Sequence, residues 1–230
     1  MKKFLILALP AALLASCSME PLGSDNAYQV PVEVEDTEIS ESTDLFYEEQ
    51  EDPSTCIFKS NDTWYKNQDG YTLWTTTDTN ESEDFEPINV TLEKTEGRAN
   101  AGFGVVFCSQ KINRKPYVLC VLIDANRNYT IGKVIDGYFY HITEDKKWHY
   151  SQAIQGGLGV QNTIEVSYDK DERKFILKIN GYKVTDFTAD AELTFKGSRS
   201  GYVVVIADNE SYPNSHVWVT FKNNNKKIGE

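Results

Sequence analysis

The chain has 230 residues, of which 40% are hydrophobic, 12% aromatic and 25% charged, and its formal net charge is −12. Most of this charge is local: 12 Asp and Glu and no Lys or Arg lie between Ser18 and Asp52, whereas the part beyond Asp52 holds 23 acidic and 21 basic residues. This nearly neutral part has no basic stripe, which excludes nucleic acid as the expected partner because phosphate binding requires clustered Lys and Arg. It is long enough to form one domain with its own core.

The N-terminal residues have the layout of a targeting segment. Lys2 and Lys3 form a positive head, and an apolar run of the length typical of a signal-peptide hydrophobic region follows from Phe4 to Leu14. The run ends in Leu14-Ala15-Ser16-Cys17, which resembles the lipobox of bacterial lipoproteins. This resemblance implies cleavage after residue 16, lipidation of Cys17 and anchoring in the bacterial cell envelope, with the leaflet and the side of the membrane left open.

Two alternatives to a lipoprotein signal are an ordinary secretory signal and a short membrane helix. The apolar run is too short to span a bilayer, which takes about 20 apolar residues. Ordinary cleavage does not require a cysteine after the small residues. Residues 1–16 are therefore predicted to be a lipoprotein signal peptide.

Residues 17–52 are predicted to form a disordered acidic tether that begins at the lipidated cysteine. Acidic stretches such as Glu33–Glu38 and Glu48–Asp52 cannot bury enough apolar surface to offset the entropy of ordering. A coil of about 35 residues spans ~30 Å, and self-repulsion would extend it further. Leu45-Phe46-Tyr47 is the one apolar stretch, and its docking on the domain as an extra strand is an alternative for that part.

Beyond Pro53 the sequence changes to short segments with the alternation of half-buried strands and no convincing helical periodicity. Asn180-Gly181 and Asp136-Gly137 indicate tight hairpin turns, because both central residues of a type I′ turn require positive φ. The runs Val118–Ile123 and Val203–Ala207 are apolar at every position, which predicts central strands buried on both faces. Strands are predicted near 71–76, 85–95, 101–109, 117–124, 128–135, 138–142, 148–154, 162–168, 174–180, 182–187, 201–207 and 216–222.

Two strand pairs carry a resemblance to a known fold. Asn162–Val166 followed by Phe175–Gly181, with a charged turn between them, resembles a signature pair of concanavalin A-like and laminin-G-like jelly rolls, and Ala101–Phe107 with Tyr117–Asp124 resembles the preceding pair. The resemblance implies an all-β, antiparallel two-sheet jelly-roll sandwich of about twelve strands over residues 53–225, with residues 226–230 as a C-terminal tail. This superfold includes lectins, glycosidases and adhesion modules, so it does not fix the function.

No catalytic or metal-binding motif is evident in the predicted domain. Hydrolases of this superfamily carry Glu-x-Asp-x-Glu on one strand, and no predicted strand has it, so we expect a non-catalytic domain; a hydrolase with acids from separate strands remains an alternative. His141 and His149 lie on adjacent predicted strands without a third ligand, so no metal site is predicted. Calcium occurs in relatives of this fold and is left open without named ligands.

Three cysteines remain if Cys17 carries lipid, namely Cys56, Cys108 and Cys120. Cys108 and Cys120 lie on neighbouring predicted strands, which allows a disulfide between them. The favoured alternative is three buried thiols that act as small apolar groups.

Alternating aromatic residues give the candidate ligand site. Tyr138 and Tyr140 alternate on one predicted strand, and Trp148 and Tyr150 alternate on the next. If the two strands pair, these rings share a face and can stack on the apolar side of sugar rings. The alternative is that they fill the sandwich core, with Phe139 facing out.

Taken together, the sequence predicts a lipid-anchored envelope protein whose non-catalytic β-sandwich binds a glycan or an extracellular partner. A glycoside hydrolase and an assembly subunit that binds another envelope protein are the alternatives. The oligomeric state is left open.

Overall fold

The computed structural model describes residues 38–41, 44–49, 51–60, 71–142, 148–207 and 216–226. The predicted signal peptide, Cys17, the tether as far as residue 37 and the tail beyond residue 226 lie outside the described residues. The fifteen strands of the described part are β1 Glu38–Glu41, β2 Phe46–Glu48, β3 Thr55–Lys59, β4 Tyr71–Thr79, β5 Ile88–Glu96, β6 Phe103–Ile112, β7 Lys115–Ile123, β8 Asn128–Ile135, β9 Tyr138–His141, β10 His149–Tyr150, β11 Gln161–Asp169, β12 Lys174–Ile179, β13 Tyr182–Phe187, β14 Arg199–Ile206 and β15 Trp218–Asn223.

The strands form two sheets. Sheet A has the order β1-β4-β14-β6-β7-β8-β10, and β9 also pairs with β8; sheet B has the order β13-β12-β11-β5-β15-β3-β2. The described pairs are antiparallel apart from β1 with β4. The predicted all-β jelly-roll sandwich is confirmed, and each of the twelve predicted strands has a counterpart, although the one predicted near 148–154 is a strand only over His149–Tyr150.

The sandwich begins before Pro53. β1 pairs with β4 at one end of sheet A, and β2 pairs with β3 at one end of sheet B. Leu45 is buried in the core, and the Phe46 ring lies edge-on to Phe58 with 4.9 Å between ring centroids. The prediction of a disordered tether through Asp52 is therefore wrong for the described residues from 38 onward, and the alternative of a docked apolar stretch is correct. The physical reason is that the buried Leu45 and the half-buried Phe46 remove enough apolar surface from water to offset the entropy of ordering a short segment.

The inner core lies between the two sheets and is built from alternate residues of each strand. Its aromatic part centres on Phe175 of β12, whose ring lies 5.5 Å from Phe107 of β6 and 5.3 Å from Phe187 of β13, measured between centroids. At another point Tyr202 of β14 stacks on Phe221 of β15 at 4.6 Å. The Phe107–Phe175 and Tyr202–Phe221 contacts join sheet A to sheet B.

Sheet A also buries its other face. We call the apolar cluster on this face the second core; it consists of Trp74, Ala101, Val106, Val118, Cys120, Leu122, Val134, Phe139, Val203, Val205 and Ala207. Cα atoms of β1 and β9, which belong to opposite ends of sheet A, approach within 8 Å, so the sheet curls around this face. The expectation that Val118–Ile123 and Val203–Ala207 are buried on both sides is confirmed.

The cysteines beyond Cys17 are free and buried. Cys108 belongs to the inner core and Cys120 to the second core, so the two side chains lie on opposite faces of sheet A and no disulfide joins them. Burial raises the pKa of Cys56, Cys108 and Cys120 to about 12, because the interior disfavours the thiolate. The interpretation as buried thiols is confirmed.

Candidate functional site

Among the described residues, no strand pairing joins the β8–β10 end of sheet A to β13, the last strand of sheet B, along one side of the sandwich. Two adjoining hollows of about 400 and 490 Å³ lie here, and Tyr129 contributes to the wall of both. We call the two hollows together the lateral cleft. Its lining residues are Tyr129, Ile131, Ile142, His149–Ala153, Lys174 and Tyr182–Thr188.

The local sequence explains why the cleft stays open. Asn180 and Gly181 have φ of 53° and 80°, as the predicted type I′ turn requires, and they return the chain along β12 as the edge strand β13. The Asn180 side chain is fixed, since its oxygen accepts from the Thr163 N–H at 2.8 Å and its amide donates to the Ala153 carbonyl at 2.8 Å. On the opposite wall β10 pairs with β8 through two residues only.

Exposed tyrosines belong to the lining of the second hollow on both sheets. Tyr150 of β10 is 58% exposed and Tyr182 of β13 is 70% exposed. Between the hollows, the buried Tyr129 ring lies 5.4 Å from the His149 ring at a tilt of 31°. The cleft therefore presents flat amphipathic rings to solvent above a buried aromatic pair.

Most polar side chains of the cleft are neutral, and a few are charged. Ser151, Gln152, Thr185 and Thr188 supply hydroxyl and amide groups. Lys183 donates to Asp186 at 2.8 Å. This hydrogen bond and the opposite charge raise the pKa of Lys183 and lower that of Asp186. Asp186 is the one carboxylate among the described lining residues, and it is already paired.

A polar bridge between the sheets lies beyond the cleft. Lys133 of β8 forms an ion pair with Asp190, which follows β13, and the Tyr117 hydroxyl donates to the same carboxylate at 3.2 Å. Partial burial opposes ionisation of Asp190, but the hydrogen bonds from Lys133 and Tyr117 and the Lys133 charge bring its pKa below the ordinary value. The Lys133 ammonium lies 5.9 Å from the centroid of the Tyr140 ring.

The four aromatic residues predicted from the sequence do not form one platform. β9 and β10 each pair with β8 at different residues. Tyr138 and Tyr140 are 65% and 47% exposed on one face, whereas Trp148 packs against the second core on the other face. The alternative with Phe139 facing out is also wrong, because Phe139 is buried in the second core. The reason is that sheet A buries both faces, so alternation on β9 does not reveal which residues are exposed.

Tyr182 is the residue that the sequence analysis missed. The Asn180-Gly181 turn places it first on a strand with little apolar alternation, which is the signal of an exposed edge. Of the predicted residues, Tyr150 lies in the cleft, and Tyr138 and Tyr140 lie on the same side of the sandwich, on the β9 hairpin.

The histidines have structural contacts. His141 Nδ1 lies 2.7 Å from the Thr130 hydroxyl, and its ring is edge-on to Phe139 at 4.9 Å. Within the part of the chain that the structure describes, no group of three or more His, Cys, Asp and Glu side chains is placed to hold a metal ion. The same residues contain no helix of a length and apolarity that would cross a membrane.

Comparisons with known proteins identify the fold. No family model matches the chain, and no curated protein matches it in sequence. The β-glucanase of Bacillus licheniformis matches in structure at 6% identity and a TM-score of 0.50, over 85% of this chain and 87% of that one. The carbohydrate-binding module CBM66 from Bacillus subtilis matches at 12% identity and a TM-score of 0.49, over 77% and 88% of the two chains. At such identities the likeness to the glucanase establishes a jelly-roll fold and nothing further.

Proposed function

We propose that the protein is a glycan-binding β-sandwich and that the lateral cleft is its binding site. The observation that carries the proposal is the pair Tyr150 and Tyr182, exposed on facing walls of one hollow. Six large apolar side chains are exposed among the described residues, and four of them lie along this side of the sandwich. A concentration of exposed rings on one side is typical of a binding surface.

The chemistry of the cleft suits sugar rings. Tyrosine rings stack on the apolar face of a sugar, while hydroxyl, amide and charged groups nearby bond to its hydroxyls. Gln152 and Thr185 supply such groups, as does the Lys183–Asp186 pair. The two hollows adjoin in a row, which favours an extended chain of sugars over a single small molecule.

We propose that binding occurs without hydrolysis. Glycosidases require two carboxyl groups flanking the scissile bond. Asp186 is the single carboxylate that the described cleft residues offer, and it is paired with Lys183. No metal or other cofactor enters this proposal, although calcium remains to be tested.

A hydrolase is the second candidate, favoured by one observation. Another cleft of about 260 Å³ is lined by Asp78 of β4 and by Glu86 of the segment before β5, so its lining includes two acidic residues from separate elements. Asp78 is held by Lys226 at 2.8 Å and by the Asn223 amide at 3.2 Å. Release of reducing ends from a polysaccharide panel, lost in both Asp78→Asn and Glu86→Gln, would establish this candidate.

We further propose that the domain is anchored in the bacterial cell envelope through lipid on Cys17. The lipobox-like sequence supports the anchor, and the acidic residues between Cys17 and β1 would hold the sandwich away from lipid headgroups. Cys17→Ser should leave unprocessed precursor and move the protein to the aqueous fraction; normal maturation of the variant would contradict the anchor. Assembly with another envelope protein is the alternative, and co-purification from membranes without any glycan binding would favour it.

The binding site is tested with a glycan array on the full chain, with and without calcium, followed by calorimetric titration of the best glycan. Tyr182→Ala and Tyr150→Ala should each weaken binding about tenfold or more, since a lost stacking ring removes on the order of 1–3 kcal/mol. Tyr47→Ala is the matched control, because Tyr47 of β2 is also exposed but lies at the far end of sheet B. Equal loss in the control, or no loss in either cleft variant, would remove the site.

A further inference from the structure

The charged side chains of the lateral cleft are paired with one another. Lys174 and Lys183 are the lysines among the described lining residues. Lys183 donates to Asp186 at 2.8 Å, and the Lys174 ammonium lies 3.3 Å from a carboxylate oxygen of Glu172. Each lysine of this lining therefore has a carboxylate within ion-pair distance.

Two further cations lie near the lining and do not enter it. Lys133, beyond the cleft, is paired with Asp190, and its side chain is only 16% exposed. The backbone carbonyl of Arg127 accepts from the Ser151 N–H, but the Arg127 side chain is not part of the lining. It packs over Gly156 instead, where an added Cβ would lie 3.0 Å from its Cγ atom.

The lateral cleft has no net charge when histidine is counted as neutral. The lining and its ion-pair partners contain two positive and two negative groups, a sum that does not depend on whether each pair is formed at a given moment. Residues 143–147 precede β10 in the sequence and contain two acidic and two basic residues, which add no net charge. The whole chain carries −12, so it does not attract a polyanion at long range.

We infer that the lateral cleft selects neutral glycans and rejects those whose sugars carry carboxylate or sulfate groups, a selectivity that rests on the proposed function. A neutral sugar hydroxyl donates to the carboxylate and accepts from the ammonium of one pair, so it uses both partners. A uronate carboxylate would need a Lys or Arg without a carboxylate beside it. Asp186 and Glu172 repel such a group at nearly the distance from which Lys183 and Lys174 attract it.

The test compares, on the full chain, glycans that differ in charge alone. Hexamers of glucose, mannose and galactose, in α and β linkage, are each titrated beside the form whose primary alcohols are oxidised to carboxylates. Divalent cations are left out because they bridge carboxylates. The neutral member of a bound pair should bind about tenfold or more tighter. Its affinity should change by less than about twofold between about 0.02 and 0.5 M NaCl, because salt screens charges and not ring stacking.

Variants that release one lysine should reduce this selectivity. Asp186→Asn leaves Lys183 without its carboxylate, and Glu172→Gln does the same for Lys174. Each should lower the ratio of neutral to uronate affinity about threefold or more, and added salt should restore the ratio. Asp186→Asn combined with Lys183→Gln should return the ratio to that of the native chain, because the cleft then has no net charge again.

Glu83→Gln is the matched control, since Glu83 pairs with Lys196 at 3.0 Å and neither residue lines the cleft. Melting of every variant is measured on the same preparation, so that a variant that fails to fold is recognised.

Uronate hexamers that bind as tightly as their neutral forms would overturn the selectivity and leave glycan binding at the cleft in place. A ratio that stays unchanged in both cleft variants, or that shifts equally in Glu83→Gln, would overturn it as well. Absence of binding by every member of the panel would instead remove the proposed function, and the selectivity with it.

Discussion

The outer face of sheet A is buried, whereas the outer face of sheet B is exposed to solvent. In β11 of sheet B the buried residues Ile164 and Val166 alternate with half-exposed polar residues, and across the outer face the Thr91 and Thr163 hydroxyls lie 3.1 Å apart. In β7 of sheet A each residue from Tyr117 to Ile123 is buried. One sheet thus has a solvated face, and the other curls around a core of its own. The difference shows that a sheet can bury its outer apolar face by curving around it. Exposed rings then lie along the side between the two sheets, at the lateral cleft.

The largest effect is expected when one side chain on the outer face of each sheet is truncated to alanine. Leu122→Ala should lower the free energy of unfolding by about 3 kcal/mol, because it leaves a cavity in the second core. Glu165→Ala on the outer face of sheet B should change it by less than about 0.5 kcal/mol. Urea unfolding of the two variants measures both values. Similar losses at the two positions would mean that the outer face of sheet A is not a core.

Trp148→Ala tests how much a half-buried side chain at the edge of the second core contributes to stability. Trp148 is half-buried, and its ring fills the space over Gly102, where an added Cβ would lie 2.7 Å from ring atom Cη2. We expect a loss of about 2 kcal/mol in unfolding free energy, less than for a fully buried tryptophan. Glycan affinity should be unchanged, since Trp148 faces away from the cleft. Tyr138→Ala is the control and should lose little stability. A Trp148→Ala variant that keeps full stability but no longer binds glycan would show that Trp148 belongs to the binding site.

Thiol reactivity is the test with the smallest expected effect. It reports on both cores, because each core contains at least one buried cysteine. With pKa values of about 12, Cys108 and Cys120 should not react with a thiol reagent at pH 8 in the folded protein, and both should react in urea. The folded state keeps these protons when the unfolded state loses them, so the free energy of unfolding should fall as pH rises above the ordinary thiol pKa. Rapid reaction of Cys120 alone in the folded protein would show that the second core opens.

Much of the sandwich could be predicted from local patterns. The alternation in β11, the apolar run of β7 and the Asn180-Gly181 turn each reflect forces that act within a few residues. β1 could not be found in this way, because Glu38–Glu41 has no strand composition and its pairing partner β4 is far along the chain. The cleft could not be found either, because the weak alternation of β13 indicates an exposed edge but not which strand of the other sheet lies opposite it. Topological order of that kind is set by the whole fold.

The parallel pairing of β1 with β4 has a mechanical consequence. β1 is the first strand of the described chain, and Glu38 at its start lies opposite Tyr71 of β4, so tension applied at Glu38 acts first on this pairing. The load is carried by one four-residue ladder before it can reach the antiparallel strands. Tension applied at Glu38 would therefore separate this strand from the edge of sheet A first, and the two hydrophobic cores would bear load only afterwards.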